Sequence, residues 1–503
     1  MITSLLRPLF AHRYKTWREA ASNIENAQRL QLARLISKGV GTLYGERLHF
    51  NSIDRYETFR RRVPVVGYEQ MRPLIMRMVN GEQDILWPGR VFRFAQSSGT
   101  SDGKSKYVPV TADSLRYNHY RGGFDTVSHY LHAYDKSRLF DGRAFILGGS
   151  FSNELELAPG VRVGDLSASL IDGINPLVNL IRVPKKKVAL MSDWTEKLPL
   201  LVEGSMNANV TNISGVPSWF LTVLKKIMEQ KGVENIHDVW PNLEVFFHGG
   251  ISMEPYRAQY RRITNAQKMR YMETYNASEG FFAIQTDPES HWLEVIPDGG
   301  IFYEFVPLDQ IGEDFPDALP SWKVEPGVTY ALVITSSNGL WRYVLGDTVT
   351  IQQVSPLKFT IAGRTKHFIN AFGEELMVYN AERAMAATCA KMGCDVVNYT
   401  AAPVYAGDNS RGCHQWLVEF ANRPESLDEF AVVLDKNLQS ENSDYQAKRS
   451  GDIFLGPPIV SEAKNGLFDR WLANTGKLGG QRKVPRLCPD RRFIDPMLEL
   501  NAV

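Results

Sequence analysis

Apolar and polar residues follow two different periods along this chain. In the first part, apolar side chains recur at helical spacing from Trp17 to Ile36, which predicts a helix over residues 13–40 that ends near Gly39. A second helical stretch with turns extends to about Trp87. Beyond it the apolar runs become short and are bounded by Gly, Ser, Asn and Pro, which is typical of buried strands.

Strands and helices alternate through the middle of the chain. The pattern predicts strands at Val91–Ala95, Arg143–Leu147, Leu243–Phe247, Ile301–Val306 and Thr329–Thr335. Between them, helical spacing appears at Ser218–Gln230 and Glu254–Ile263. This alternation indicates an α/β core.

The last quarter has a different order of elements. After a strand at Lys358–Ala362, the pattern predicts a helix at Asn380–Met392, strands near Val396–Thr400 and Gln415–Phe420, and a helix at Ser426–Gln439. This order suggests a small α+β domain of about 140 residues, an ordinary domain size. We place the domain limits at 1–363 and 364–503, with the hinge at Gly363–Lys366.

Length and charge narrow the class of protein. A chain of 503 residues is too long to fold around one ordinary hydrophobic core, so more than one domain is expected. Its composition, 44% hydrophobic and 22% charged residues, is typical of a globular protein. Because 57 Lys and Arg face 56 Asp and Glu, the chain has no broad field for nucleic acid or an anionic membrane. Any binding of phosphate must therefore be local.

Cysteine usage and the N-terminal residues favour the cytoplasm. The four cysteines form no C-x-x-C pair, and Cys413-His414 has no second ligand pair, so we expect reduced thiols and no zinc site. Arg7 and Pro8 interrupt the first apolar run, so we expect neither a signal peptide nor a membrane span.

The strongest chemical signal is the segment Phe94–Pro109, which reads FAQSSGTSDGKSKYVP. Glycine lets backbone N–H groups approach a phosphate, hydroxyl groups donate to its oxygens, and lysine supplies positive charge. Gly99 and Gly103 enclose three residues where a Walker loop needs four. The sequence therefore predicts a phosphate-binding loop of another kind, with a plain hairpin as the alternative.

Two later strands end in residues that suit a nucleotide. His248 is followed by two glycines, which would let a flat ring lie against the backbone, although a simple turn and a structural histidine are the alternatives. Further on, Tyr275 precedes Glu279 by four residues. Tyr275 could stack on a base and Glu279 could hold Mg²⁺, and the alternative is a core tyrosine with a surface glutamate.

Two more segments carry candidate groups. Asp347 follows a glycine at a strand end and could accept both hydroxyls of a ribose, or it could belong to an ordinary Gly-Asp turn. Near the C-terminus, the basic glycine-rich segment Gly476–Arg486 contains Lys477 and Lys483. A solvated basic tail is the alternative for that segment.

Each motif is weak alone, but their order resembles the acyl-adenylate-forming superfamily. Within that superfamily, the residues of these motifs are similar to those of the auxin-responsive Gretchen Hagen family of acyl acid amido synthetases. The resemblance runs from about residue 90 to the C-terminus, and the stretches that carry it are Ser97–Pro109, Gly164–Ser167, Gly215–Trp219, Tyr275–Glu279 and Gln481–Arg486.

The resemblance implies an α/β fold with a large N-terminal adenylate-forming domain, whose sheets are flanked by helices, and a smaller mobile α+β lid. It implies ATP and Mg²⁺ as ligands. The residues that it assigns to the phosphates are Ser97, Ser98, Gly99, Thr100 and Ser101. It further places Gly250, Ser278 and Arg364 in the ATP site.

The resemblance also assigns individual roles. Tyr275 would flank the adenine, Asp347 would bind the ribose, and Glu279 would be the catalytic metal ligand. Lys483 would reach from the lid toward the α-phosphate and the carboxylate, although Lys477 in the same segment remains a candidate for that role.

The chain departs from the superfamily at two motifs. Asn-Ala-Ser separates Tyr275 from Glu279 where Gly-x-Thr is common, and Tyr-Val-Leu precedes the Gly-Asp pair where Arg and Thr are often found. These differences concern the geometry of the site rather than its class.

The implied activity is an acid–amino acid ligase. It would join a small carboxylic acid to AMP and then transfer the acyl group to an amino acid, acting as a cytoplasmic monomer without nucleic acid or membrane partners. The alternatives are an acid–thiol ligase that makes a coenzyme A thioester and a nucleotide-binding regulatory protein without catalysis.

Overall fold

The structure is a computed structural model of the 503-residue chain. It describes residues 2–98, 105–151, 155, 157–250, 253, 256–364, 368–369, 374, 376–404, 412–442, 445–446, 449, 455–475, 484–488 and 490–502. The chain divides into two compact units. The first comprises Met1–Ile251 and Thr264–Thr360, and the second comprises Ser252–Ile263 and Ile361–Val503.

The first unit begins with a helical region and contains further helices between its strands. The helices are α1 (Ile2–Ser22), α2 (Ile24–Gly39), α3 (Leu43–Arg47), α4 (Tyr56–Arg62), α5 (Tyr68–Val79), α6 (Ala112–Ser114), α7 (Tyr120–Ala133), α8 (Leu166–Asp172), α9 (Pro176–Leu180), α10 (Lys186–Ala189), α11 (Trp194–Ser205) and α12 (Pro217–Lys231). A π-helical turn at Leu115–His119 joins α6 to α7.

The predicted helix over residues 13–40 is two helices. Asn23 interrupts it, because its side-chain oxygen accepts a hydrogen bond from the Asn26 N–H and so caps the start of α2. The first of the two helices also starts earlier than predicted, at Ile2. The predicted helix at Ser218–Gln230 is confirmed as α12, which Pro217 begins.

Among the described residues of the first unit, the strands form two sheets. They are β1 (Arg93–Ser98), β2 (Ser105–Pro109), β3 (Arg143–Ile146), β4 (Arg162–Gly164), β5 (Arg182–Val183), β6 (Val210–Gly215), β7 (Val245–Gly249), β8 (Arg270–Ala277), β9 (Gly280–Gln285), β10 (Leu293–Val295), β11 (Ile301–Pro307), β12 (Leu319–Pro320), β13 (Thr329–Ser336), β14 (Leu340–Val354) and β15 (Leu357–Arg364). The last residues of β15 belong to the second unit.

In the part of the chain that the structure describes, the larger sheet has twelve strands in the order β12-β11-β13-β14-β15-β10-β9-β8-β7-β6-β3-β5. Its run β5-β3-β6-β7-β8 is parallel, whereas β8–β9, β9–β10 and β10–β15 pair antiparallel. Parallel strands are covered on both faces, which explains why β7 reads as a continuous apolar run rather than an alternating one. The smaller sheet has the order β2-β1-β4.

The second unit is a small α+β assembly. Its strands are β16 (Phe368–Ile369), β17 (Leu376–Met377), β18 (Asp395–Val404), β19 (Cys413–Asn422) and β20 (Ile459–Glu462), and its helices are α13 (Arg257–Ile263), α14 (Val378–Met392), α15 (Leu427–Glu441), α16 (Leu467–Asn474) and α17 (Ile494–Ala502). Strand order β18-β19-β20 builds the main sheet, whose apolar residues pack with those of α14 and α15. The predicted strands and helices of this region are thus confirmed.

Helix α13 lies between β7 and β8 in the sequence, yet it packs with the second unit. Arg262 of this helix forms an ion pair with Asp395 at the start of β18. Just before the helix, the Tyr256 hydroxyl accepts a hydrogen bond from Arg486, 3.1 Å away. The domain limits and the mobility of the lid stay predictions.

The described helices include none that is both long enough and apolar enough to cross a bilayer. The four cysteines are free thiols.

Candidate active site

The neighbouring parallel strands β6, β7 and β8 end at the same edge of the large sheet. Gly215 at the end of β6 lies beside His248 of β7, and Gly249 of β7 lies beside Thr274 of β8. In sheets of this kind, ligands bind beyond the carboxyl ends of the strands. The predicted residues Gly250, Tyr275, Ser278 and Glu279 all lie at this edge or directly after it.

The double glycine at the end of β7 is required sterically. A Cβ atom on Gly249 would lie 2.4 Å from the backbone oxygen of Thr274, so no side chain fits there. Gly250 has φ +82°, which favours glycine. The Thr274 hydroxyl also donates to the His248 oxygen at 3.1 Å, so the ends of the two strands are joined closely. His248 itself is buried.

The Ser278-Glu279 pair forms the two-residue turn between β8 and β9, where Ala277 faces Gly280. Both residues are buried, and Glu279 is only 6% exposed. The alternative of a surface glutamate is therefore wrong. From the turn between β13 and β14, the Asn338 amide donates to the Glu279 backbone oxygen at 2.8 Å. A buried carboxyl group in a short turn has little freedom to move.

Tyr275 and Asp347 are 72 residues apart in the sequence and meet in the fold. The Tyr275 hydroxyl donates a hydrogen bond to the Asp347 carboxylate, and the two residues are 7% and 5% exposed. The Tyr275 ring packs near Phe282 and Phe359, with ring centroids 4.9 and 6.0 Å away. The contact between the two predicted nucleotide residues was not predicted from sequence.

This contact requires a strongly curved sheet. Strands β15, β10 and β9 separate β14, which carries Asp347, from β8, which carries Tyr275. At the usual strand spacing, a flat sheet would hold these two strands roughly 19 Å apart. The sheet therefore curls, so that residues of β8 and β14 face each other across its concave side.

The phosphate-loop prediction is only partly described by the structure. The flanks form the antiparallel hairpin of β1 and β2, in which Ser97 faces Lys106 and Ser98 faces Ser105. The positions of Gly99, Thr100 and Ser101 lie outside the described residues, and nothing is described of the Ser97 and Ser98 side chains. Strand β1 also pairs with β4, so the hairpin is anchored at its base.

Three candidate residues nearer the C-terminus are Arg364, Lys477 and Lys483. Arg364 ends β15, but its side chain lies outside the described part of the chain, as do Lys477 and Lys483. Their assigned roles stay predictions.

The Gly164–Ser167 stretch holds the loop that follows β3. The Asp165 carboxylate accepts from the Ser150 N–H at 2.8 Å, and the Gly149 N–H donates to the Ser167 hydroxyl at 2.8 Å. Lys197, which sequence reasoning missed, is buried here and donates to the Gly148 oxygen at 2.6 Å. Burial lowers the pKa of Lys197 to about 8. The motif thus shapes a loop at the carboxyl edge of the sheet.

Arg342 is a second residue that sequence reasoning missed. It is fully buried with φ +44°, and its guanidinium group forms a bidentate ion pair with the buried Glu304 at 2.8 to 3.1 Å. Its remaining nitrogen donates to the Arg60 and Val63 oxygens at 2.8 Å. The Tyr56 hydroxyl donates to Glu304 as well, and burial raises the pKa of Tyr56. The sequence did contain a signal for this residue, since an arginine within an otherwise apolar strand indicates a buried charge that needs a partner.

The comparisons with known proteins define first a class of fold. A 2-hydroxyisobutyryl-CoA ligase in the postadenylation state superposes with a TM-score of 0.58 at 13% identity, covering 98% of this chain and 93% of that one. The GH3.15 acyl acid amido synthetase superposes with a TM-score of 0.79 at 18% identity, covering 98% and 96%. The fold is that of the adenylate-forming ligases, as predicted.

Family models then identify the particular family. The GH3 family N-terminal domain matches residues 13–178 and 175–269, the central domain matches 295–364 and the C-terminal domain matches 379–492. The chain belongs to the GH3 family, and the predicted family is confirmed.

Curated relatives agree along nearly the whole chain. The indole-3-acetic acid-amido synthetase GH3.8 of Oryza sativa subsp. indica is 24% identical over 96% of this chain and 90% of its own length. The 4-substituted benzoates-glutamate ligase GH3.12 of Arabidopsis thaliana is 23% identical over 94% of both chains. The predicted enzyme class, a ligase that joins an acid to an amino acid, is confirmed by these relatives.

Proposed function

We propose that the protein is an ATP-dependent acyl acid amido synthetase. A carboxylic acid attacks the α-phosphate of ATP to give an acyl-adenylate and pyrophosphate, and the amine of an amino acid then displaces AMP to give an amide. The observation that supports this is the convergence of Tyr275, Asp347 and the buried Ser278-Glu279 turn around one edge of the sheet.

The chain's own groups suit a nucleotide at this edge. Asp347 accepts from Tyr275 through one oxygen, which holds its carboxylate in place to accept the ribose hydroxyls with the other. We propose that the flat adenine lies against the backbone at Gly250, which carries no side chain and has φ +82°. We assign the phosphates to the loop between β1 and β2.

Glu279 fits a magnesium ligand. The described residues contain no group of three His, Cys, Asp or Glu side chains that could hold a metal. Within that part of the chain, a Mg²⁺ ion would therefore need ligands from the nucleotide as well as from the protein. Mg²⁺ is commonly held by one or two carboxylates together with phosphate oxygens and water. A buried carboxyl group at the nucleotide edge meets that need. The ion supplies positive charge that offsets the repulsion between the two reacting anions.

The protein groups act by placing charge and excluding water. We propose that Lys483 approaches the α-phosphate and the carboxylate from the second unit, which closes as a lid about Gly363–Lys366. Closure shields the acyl-adenylate from hydrolysis, and the amino acid enters afterwards. We further propose that the protein works as a monomer in the cytoplasm.

Product analysis tests the function. Purified protein is incubated with Mg-ATP, a pool of aryl and aliphatic acids and mixed amino acids, and products are identified by mass spectrometry. We expect amide conjugates and an equal amount of AMP. A parallel reaction contains coenzyme A in place of the amino acids. A thioester as the sole product would overturn the amide assignment in favour of an acid–thiol ligase.

A variant connects the products to the site. Glu279→Gln keeps the shape of the side chain but removes the charge that the metal needs, so we expect kcat/KM for ATP to fall about 100-fold or more. Glu313→Gln, a substitution at an exposed glutamate of the same unit, is the matched control and should match the wild type. Full activity of Glu279→Gln would refute the assigned metal role.

A further inference from the structure

The segment Leu115–His119, between α6 and α7, is a π-helical turn. Such turns add one residue to a helix, and they occur frequently at functional sites. Here the turn directs Asn118 into the interior, where it is buried. No motif in the sequence marks this residue.

The Asn118 amide pairs with the backbone of β9 as a neighbouring strand would. Its nitrogen donates to the Phe281 oxygen at 2.9 Å and to the Gly299 oxygen at 2.7 Å, while its oxygen accepts from the Phe281 N–H at 2.7 Å. Both N–H groups of the side chain are therefore used.

Phe281 follows Glu279 by two residues, so the Asn118 bonds hold one side of the Ser278-Glu279 turn. Asn338 holds the other side through the Glu279 oxygen. Helix α7 also packs closely against Phe281, since a Cβ atom on Gly122 of this helix would lie 2.5 Å from the Phe281 ring. The turn is thus fixed from two directions by side-chain amides.

We propose that Asn118 is a positioning residue for the metal-binding carboxylate. By fixing the backbone at Phe281, it sets the direction in which Glu279 meets Mg²⁺ on the nucleotide. This inference rests on the proposed function of Glu279. Mg²⁺ requires a nearly ideal octahedron with short bonds, so a small displacement of its carboxylate weakens binding.

The chain contains a matched control for this residue. Gln28 of α2 is also buried, and its amide donates to the Pro297 and Ile301 oxygens at 2.9 and 3.0 Å and accepts from the Tyr303 N–H at 2.9 Å. The number and kind of these bonds equal those of Asn118. None of them reaches the turn between β8 and β9.

The test compares N118D with Q28E in the full-length protein. Each substitution replaces an amide by a carboxyl group of the same shape, keeps the acceptor and removes both donors. Both variants should lose thermal stability. Calorimetric titration with ATP, over a series of Mg²⁺ concentrations and with EDTA, then separates metal-dependent binding from metal-free binding.

We expect N118D to raise the Mg²⁺ concentration for half-maximal ATP binding about tenfold, the effect typical of lost partners around a metal ligand. Metal-free ATP binding should equal that of the wild type, and Q28E should leave both quantities unchanged. If N118D unfolds, N118S tests the same expectation, because it is smaller and introduces no charge.

An equal Mg²⁺ requirement in N118D, Q28E and the wild type would overturn the role of Asn118, and so would an equal shift in both variants. E279Q, measured in parallel, separates this failure from that of the proposed function. If E279Q binds Mg-ATP as the wild type does, the metal role of Glu279 fails and the inference fails with it. A shift in E279Q without one in N118D refutes only the inference.

Discussion

At the scale of single residues, the bond between Tyr275 and Asp347 is the contact on which the proposed nucleotide site depends. A hydroxyl group that donates to a buried carboxylate forms a charge-assisted bond, which is stronger than one between neutral groups. The bond selects one orientation of the Asp347 carboxylate before any ligand arrives. Such preorganisation lowers the free energy needed to order the site on binding.

Tyr275→Phe tests this role because it keeps the ring and removes only the hydroxyl group. A hydrogen bond to a charged group contributes roughly 1.5–3 kcal/mol, so we expect KM for ATP to rise about tenfold or more while kcat at saturating ATP changes little. Steady-state kinetics measure both. Tyr303→Phe, which removes a buried hydroxyl bonded to the Phe282 oxygen, is the control. A fall in kcat at unchanged KM would contradict the assignment.

At the scale of elements, the ion pair of Arg342 and Glu304 joins β14 to β11, and the same arginine also reaches the end of α4. The guanidinium group satisfies the Arg60 and Val63 oxygens, which lie at the C-terminal end of α4 and have no partner within that helix. The same strand carries Asp347 five residues later. A buried ion pair therefore supports the strand that carries Asp347, the proposed ribose ligand.

Arg342→Met should destabilise the first unit by about 3–5 kcal/mol, because it leaves the Glu304 charge buried without its cation. Hydrogen exchange, followed by mass spectrometry, should show faster exchange in α4 and little change in α12. Combining it with Glu304→Gln should restore part of the stability, since no charge then remains buried. Uniform acceleration along the whole chain would argue against a local link between α4 and β14.

At the scale of the whole molecule, buried histidines make the stability depend on pH. Burial, together with nearby cationic groups that include Arg18, lowers the pKa of His129 to about 3. Burial likewise lowers the pKa of His119 to about 4. Below pH 6.5 the unfolded chain binds protons at these sites and the folded protein does not, so stability is full above that pH and is lost as the pH falls toward those values.

His129→Phe isolates one of these contributions and keeps a ring beside Trp17, whose centroid lies 4.4 Å away. The free energy of unfolding, measured by chemical denaturation, should fall less steeply in the variant between pH 6.5 and 4.5. The difference should reach roughly 3 kcal/mol at the lower pH. Other titrating groups are common to both proteins and cancel. Parallel curves would show that His129 is protonated in the folded state.

Much of the fold and the list of site residues followed from local sequence. Helices such as α12, α14 and α15 depend on apolar periodicity and caps, and β7 depends on a short apolar run, so neighbouring residues were sufficient to predict them. The motifs were found in the same way. Each is a contiguous segment, and the order of the motifs can be read directly from the sequence.

Tertiary structure alone decided how these pieces meet. It brought Tyr275 to Asp347, buried Glu279 in its turn, placed Asn118 behind that turn and joined α13 to the second unit. Each of these outcomes depends on sheet curvature or on packing between residues far apart in the chain. The spacing of hydrophobic residues determines which face of a helix or strand is buried. It does not specify which distant residues of the chain pack against that face.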